Sequence, residues 1–195
     1  MLYLFNPIYY KRNDMYGYLL GTLKSITVLV LCLMLNLSFG QEDEVVPWSP
    51  GKKLSWTDFK GRPSAISNAA AITASGITYS FSAQGTADKM ELDFEVSSYF
   101  YPKKSWYKTQ LANPTVLGHE QLHFDITEVY ARKLRQELAK AKFSKNAKSE
   151  VKEIYRNILK ELNDFQNKYD SETNFSRDTV QQLIWNKKIK KALNN

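Results

Sequence analysis

Histidine and cysteine are scarce in this chain, with two histidines and one cysteine among 195 residues. The cysteine, Cys32, lies in the N-terminal region, so the rest of the chain can form neither a disulfide nor a cysteine nucleophile. Any metal site outside that region must use histidine, aspartate, glutamate, tyrosine or water. Both histidines, His119 and His123, lie four positions apart, which directs attention to that segment.

A long hydrophobic run is also missing. The most apolar stretch, Ile26–Leu37, is shorter than the ~20 residues that cross a bilayer. Basic residues precede it, small residues end it at Gly40, and a polar segment follows, which is typical of a secretory signal peptide. We predict a signal peptide over 1–40 and a secreted or periplasmic mature protein without a stable membrane span. An uncleaved anchor is the alternative, and Met15 is an alternative start.

Charge does not indicate a nucleic-acid partner. The formal net charge is +7, and much of the excess comes from lysines near the C-terminus. No nucleic-acid recognition motif accompanies this mild charge, so a solvated helix face explains the lysines better. We therefore expect no nucleic-acid partner.

The N-terminal half of the mature chain predicts strands. A linker is expected over 41–53, followed by a single domain over 54–195. Apolar and polar residues alternate in Ile77–Ser82 and again in Met90–Tyr101, as in strands with one buried face. These two segments predict an antiparallel hairpin. We also expect the edge of the second strand near Ser97–Tyr99 to pair with an extended peptide.

The C-terminal half predicts three helices. Asn113 can cap and Pro114 can begin a long amphipathic helix that runs to about Lys142. A second helix is predicted over Glu150–Tyr169, and a last helix could be capped by Ser176. The pattern as a whole predicts an α+β fold, in which a small antiparallel sheet packs on the long helix and two further C-terminal helices.

The long helix contains the sequence His-Glu-Gln-Leu-His, an HExxH motif. Residues four apart lie on one helix face, so His119 and His123 can bind one metal ion together. Zinc is the expected ion, and Glu120 is placed beside that face to act as general base on a metal-activated water. The motif therefore predicts a zinc metallopeptidase.

Catalytic zinc usually has three protein ligands, and since no histidine remains, the third ligand must be a carboxylate, a tyrosine or a water. The HExxHxxGxxH pattern is absent, since Ile126 and Val129 occupy the corresponding positions. Asp125 points about 200° away from His123 around the helix and suits a structural hydrogen bond. Asp170 and Glu172 follow the second helix and could fold back over the metal. Four further carboxylates of that region are expected at the surface: Glu150, Glu153, Glu161 and Asp164.

Five segments resemble, in order, the DUF922 family, a group of bacterial secreted proteins predicted to be zinc-dependent proteases of the zincin type. The segments are Leu54–Pro63, Thr73–Ile77, His119–Asp125, Tyr169–Thr173, and Gln182 with Trp185. The resemblance covers about residues 47–190. It implies a zincin-like fold, with His119 and His123 as zinc ligands, Glu120 as base and a peptide or protein as substrate.

One position departs from the family pattern. There the tyrosine–aspartate element continues as Thr-x-His-Gly, whereas here Phe175 stands at the histidine position. A phenylalanine cannot bind zinc, so a site that needed this histidine would be weak or inactive. We favour Asp170 as the third ligand, with Glu172 as the alternative. The alternative function is a catalytically weak or inactive binding or assembly protein on the zincin scaffold.

Overall fold

A long antiparallel hairpin and three helices make up most of the domain. The computed structural model describes residues 44–86 and 89–194, so the predicted signal peptide lies outside the described residues. In chain order the elements are β1 (Val46–Pro47), β2 (Ala71–Ile72), β3 (Ser75–Thr86), β4 (Lys89–Phe100), β5 (Trp106–Tyr107), α1 (Pro114–Lys140), α2 (Ala147–Glu172) and α3 (Thr179–Asn194). The α+β class and the small antiparallel sheets are confirmed.

The hairpin is formed by β3 and β4, in register from Ser75 opposite Phe100 to Thr86 opposite Lys89. Because alternate side chains point to one face, Ile77 on β3 and Val96 on β4 are buried together. They pack against apolar residues of α1, among them Ile126, and this cluster continues into α2 and α3. The sheet therefore supports the helix that carries the HExxH motif. A second, smaller sheet pairs β2 with β5.

The motif helix α1 begins where the sequence predicts. Asn113 lies just before Pro114, and its Oδ1 accepts a hydrogen bond of 3.0 Å from the amide of Val116, as an N-cap does. The helix ends at Lys140, two residues before the predicted end. None of the helices in the described ranges is both long enough and apolar enough to cross a membrane.

The boundaries of α2 and α3 differ from those predicted. Helix α2 extends through Glu172, so Asp170 and Glu172, which were expected to follow the second helix, lie in its last turn. Ser176 does not cap α3. Instead, Asp178 Oδ1 accepts a hydrogen bond of 2.9 Å from the amide of Gln181, because an aspartate directly before the helix reaches its free amides better than a serine further back.

Part of the predicted linker belongs to the domain. Strand β1 pairs with β4, placing Pro47 opposite Tyr99, and the amide of Trp48 donates to the carbonyl of Ser98 at 3.0 Å. The Arg135 guanidinium also donates to the carbonyl of Val96 at 2.7 Å. The chain itself thus covers this edge of β4, so the prediction that Ser97–Tyr99 pairs with a peptide is wrong.

The side of α1 opposite the histidines fixes the helix to the N-terminal segment. Asp125 Oδ1 accepts hydrogen bonds of 2.9 Å from the Trp48 indole and from the Gln121 side chain. Gln121 Oε1 in turn accepts from the amide of Leu54 at 2.7 Å. Asp125 therefore has the structural role that its helical position predicts. The residues between and beside the histidines orient α1 against the rest of the domain.

Candidate metal centre

Three electron-rich atoms converge between α1 and α2. His119 and His123 are buried on one face of α1, and Asp170 lies in the last turn of α2. The Nε2 atoms of the two histidines are 3.0 Å and 2.8 Å from Asp170 Oδ1. In the described part of the chain, these three residues form a cluster whose ligand atoms all lie within 4.8 Å of one another.

The other ring nitrogen of each histidine contacts a glutamine oxygen. His119 Nδ1 is 3.0 Å from Gln182 Oε1, and His123 Nδ1 is 3.0 Å from Gln166 Oε1. An amide oxygen only accepts hydrogen bonds, so each Nδ1 carries the proton. The side-chain nitrogen of Gln166 donates to Thr127 at 3.2 Å, which holds its oxygen towards the ring. A neutral imidazole with Nδ1–H has its lone pair on Nε2, the atom that faces Asp170.

The ring of Tyr169 packs against the rings of both histidines. Its ring stacks on His119 with centroids 4.5 Å apart and meets His123 edge-on at 5.0 Å. Its hydroxyl contacts the side-chain oxygen of Gln182 at 2.9 Å. Burial raises the pKa of Tyr169 well above its ordinary value, so the hydroxyl keeps its proton and remains neutral. Tyr169 therefore fixes the two rings, and its hydroxyl is not one of the converging ligand atoms.

The pKa values of Asp170 and His123 are shifted in opposite directions. Burial opposes ionisation of Asp170, but hydrogen bonds from His119 and His123 outweigh it and hold the pKa of this carboxyl well below its usual range. Burial also opposes the charged form of His123 and by itself lowers the pKa of that ring. The hydrogen bond to Asp170 and the negative charges of Glu120 and Asp170 outweigh burial and raise the pKa overall. The site thus favours an ionised carboxylate next to a positive charge.

These atoms fit a divalent cation. A cation can take the place of the Nε2 protons that now face Asp170. Because the glutamines keep a proton on each Nδ1, loss of the Nε2 protons leaves two nitrogen lone pairs and one carboxylate oxygen directed at the same small region. Two histidines and a carboxylate form a common ligand set of catalytic zinc, whose bonds of ~2.0–2.2 Å place ligand atoms ~3.3–3.5 Å apart. The observed 3.0 Å and 2.8 Å separations need only a small adjustment to reach that spacing.

Glu120 lies beside this cluster with an unsatisfied oxygen. Its side chain is buried, and Oε2 has no hydrogen-bond partner among the described residues. Such a carboxylate oxygen is costly in a fold and indicates a missing polar partner. Glu120, His119, His123 and Asp170 all line one cleft of about 840 Å³. The cleft lets a water or a larger ligand reach Glu120 and the cluster together.

A strained corner follows Asp170 on the cleft wall. Asn174, Phe175 and Ser176 have φ angles of 47°, 52° and 72°, and each such residue other than glycine costs about 1–2 kcal/mol. The amide of Phe175 donates to the carbonyl of Asp170 at 2.9 Å. At the other side, the amide of Asp178 donates to the carbonyl of Thr173 at 2.9 Å. The corner is therefore tied to the turn that carries Asp170.

The alternative third ligand, Glu172, lies apart from the cluster. Its Oε2 accepts a hydrogen bond of 2.9 Å from the indole of Trp185 on α3, and its other oxygen is 3.6 Å from the amine of Lys168. Because α2 remains helical through this turn, two residues separate Asp170 and Glu172 by about 200° around the axis. Only the first of these two carboxylates faces the histidines.

Comparison with known families identifies the family of the chain. A model of a bacterial protein family of unknown function matches residues 68–177, more than half of the chain. The chain belongs to the DUF922 family. The matched range is narrower than residues 47–190, but it contains His119, Glu120, His123 and Asp170. No curated protein and no solved structure gives a match.

Membership of DUF922 adds no activity, because the family is described only as bacterial and of unknown function. The matched range includes Gln166, which belongs to none of the motifs in the sequence. Its spacing of four residues from Asp170 places both on one face of α2, and that spacing is the signal that could have found it. Gln182 lies outside the match; it was noted as part of the resemblance, but only the structure connects it to His119.

Proposed function

We propose that this protein is a secreted or periplasmic zinc-dependent metallopeptidase of the zincin type. The observation that carries the proposal is the convergence of His119, His123 and Asp170 beside the unsatisfied Oε2 of Glu120, within an open cleft. His119 and His123 would hold zinc through Nε2, and Asp170 through Oδ1. When bound, zinc polarises a peptide carbonyl and lowers the pKa of a water at its open position towards ~7.

The residues of the chain supply the remaining chemistry. The Glu120 carboxylate would accept a proton from the attacking water and pass it to the nitrogen of the leaving amine. Gln182 and Gln166 keep the protons of both histidines on Nδ1, so that neither ring competes with Glu120 for the proton. Tyr169 holds the two rings in place by stacking. Burial of Glu120 strengthens each of these electrostatic interactions.

A free strand edge beside Glu120 supports a peptide as substrate. The amide of Lys108 donates to the carbonyl of Ala70, so by antiparallel alternation the N–H and C=O of Ala71 point away from β5. No strand in the described residues pairs with that edge of β2. The Thr73 hydroxyl donates to the carbonyl of Glu120 at 3.1 Å, which holds this edge along the motif helix. An extended peptide could add here as a further strand.

The alternative, a binding or assembly protein without catalysis, was suggested by Phe175 at the position of a family histidine. The Phe175 side chain is 60% exposed and lines the cleft. None of the three converging atoms is lost by the presence of phenylalanine, since Asp170 supplies the third. Phe175 therefore gives no reason to prefer a binding or assembly protein over a peptidase.

Removal and return of zinc tests the proposal. The mature protein loaded with one equivalent of zinc should cleave an unfolded protein at several peptide bonds, as measured by mass spectrometry of the products. A chelator should abolish cleavage and added zinc should restore it, because Glu120 alone cannot activate water sufficiently. Cleavage that persists after complete removal of the metal would refute this mechanism, and zinc binding without any cleavage would favour the binding protein.

Gln182→Leu should weaken zinc binding by about 10–100-fold, as loss of a hydrogen-bond partner behind a histidine ligand typically does. Zinc affinity is measured by competition with a coloured chelator, and the protonated nitrogen of His119 by ¹⁵N NMR of the zinc-free protein. Gln181→Leu is the matched control, since Gln181 is the neighbour on α3 and does not contact His119. Equal affinities of the two variants would remove Gln182 from the positioning role.

A further inference from the structure

Three of the large apolar side chains that are exposed in the described part of the chain line the same cleft. Ile72 on β2 is 42% exposed, Leu111 in the turn before α1 is 46% exposed, and Phe175 is 60% exposed. All three line the cleft that also contains His119 and Glu120. Isolated apolar residues on a surface need no explanation, but a group around one concave site indicates a binding surface.

Phe175 has a second unusual feature. Its backbone is left-handed, as are those of Asn174 and Ser176, and an unfavourable backbone of this kind is normally offset by good packing of the side chain or by function. A ring that is 60% exposed gains little from packing within the protein. The corner is nevertheless held at both ends by the hydrogen bonds from Phe175 to Asp170 and from Asp178 to Thr173. The fold therefore fixes an apolar ring in the cleft mouth.

We infer that Phe175, together with Ile72 and Leu111, forms a subsite for a large apolar side chain of the substrate. This inference rests on the proposed peptidase function and names its substrate class, an extended peptide with leucine, phenylalanine or a similar residue near the cleaved bond. The free edge of β2 ends at Ile72, so a peptide paired there would lie along the cleft that the three side chains line. Phe175 is then a residue that determines specificity and has no part in metal binding.

Matched peptides that differ only in one residue near the cleaved bond test the inference. Cleavage sites in an unfolded protein are first mapped by mass spectrometry, and peptides are then made with leucine, alanine, aspartate or lysine at the enriched position. The wild-type protein should prefer leucine over alanine in kcat/KM. Phe175→Ala should reduce that preference about tenfold, the scale expected for loss of apolar contact, and Phe175→Leu should retain most of it.

Leu183→Ala is the control, because Leu183 is 59% exposed on α3 and does not line the cleft. It should leave the leucine preference unchanged. Circular dichroism melting of each variant separates a change of specificity from a change of folding. A wild-type protein with no apolar preference, or a preference that Phe175→Ala leaves intact, would overturn the subsite while the peptidase function stood.

A binding measurement keeps the two proposals separable. Zinc-loaded Glu120→Gln protein is titrated with the leucine and alanine peptides carrying a fluorescent label, with and without Phe175→Ala. Tighter binding of the leucine peptide that depends on Phe175 would support the subsite even if no variant cleaved any peptide. Equal binding of both peptides would overturn it.

Discussion

Glu120→Gln is expected to lower kcat for peptide hydrolysis by about 10²–10⁴-fold, the usual contribution of a general base. Glutamine has nearly the same shape as glutamate but cannot take a proton from water. Zinc affinity should change little, because Glu120 is outside the cluster of His119, His123 and Asp170. Initial rates on a peptide substrate and the zinc content of the same samples provide the two measurements.

The control for Glu120→Gln is Glu137→Gln, the same chemical change on the exposed side of α1, close to its end. This variant should cleave at the wild-type rate. A Glu120→Gln protein that keeps full activity would exclude Glu120 as the base. One that loses zinc as well as activity would show instead that the carboxylate is needed for metal binding, contrary to its place in the cleft.

Asp170→Ala is expected to weaken zinc binding by much more than the 10–100-fold that loss of an outer hydrogen-bond partner causes. Asp170 Oδ1 is the atom that both Nε2 atoms approach, at 3.0 Å and 2.8 Å. Without Asp170, the cluster would keep only the two histidine nitrogens as ligand atoms and would lose its one negatively charged ligand. Asp170→Asn should lie between the wild type and Asp170→Ala, since it keeps an oxygen but removes the charge.

The sharpest control for Asp170 is Glu172→Gln, two residues further along α2. Glu172 was the alternative ligand in the sequence, and its Oε2 accepts from Trp185 instead. Competition titration with a chelator should show near wild-type zinc affinity for Glu172→Gln. If Glu172→Gln lost the metal and Asp170→Asn kept it, the assignment of the third ligand would be reversed.

The sequence predicts elements that have strong local signals. Asn113 and Pro114 define the start of α1 because a capping side chain and a proline act within one turn. The hairpin follows from alternation that continues through Ile77 and Val96. His119 and His123 require only the helical period to be placed on one face.

Features that depend on distant pairing could not be predicted in this way. Strand β1 has two residues and no periodic pattern, so nothing local indicates that it covers the edge of β4. The choice between Asp170 and Glu172 depends on whether α2 continues past Tyr169, and helix ends are poorly defined by pattern. The left-handed backbone of Phe175 has no local signal, since no glycine occupies that corner.

The distance along the chain between the converging residues has a consequence for stability. His123 and Asp170 are separated by 47 positions, and a zinc ion held by both would cross-link α1 to α2. For a disulfide that closes a loop of this length, the chain-entropy estimate is about 4 kcal/mol. The described part of the chain contains no cysteine. A bound zinc ion would therefore supply the kind of cross-link that disulfides supply in many small domains. Removal of zinc would then lower the free energy of unfolding of this domain as well as any activity that depends on the ion.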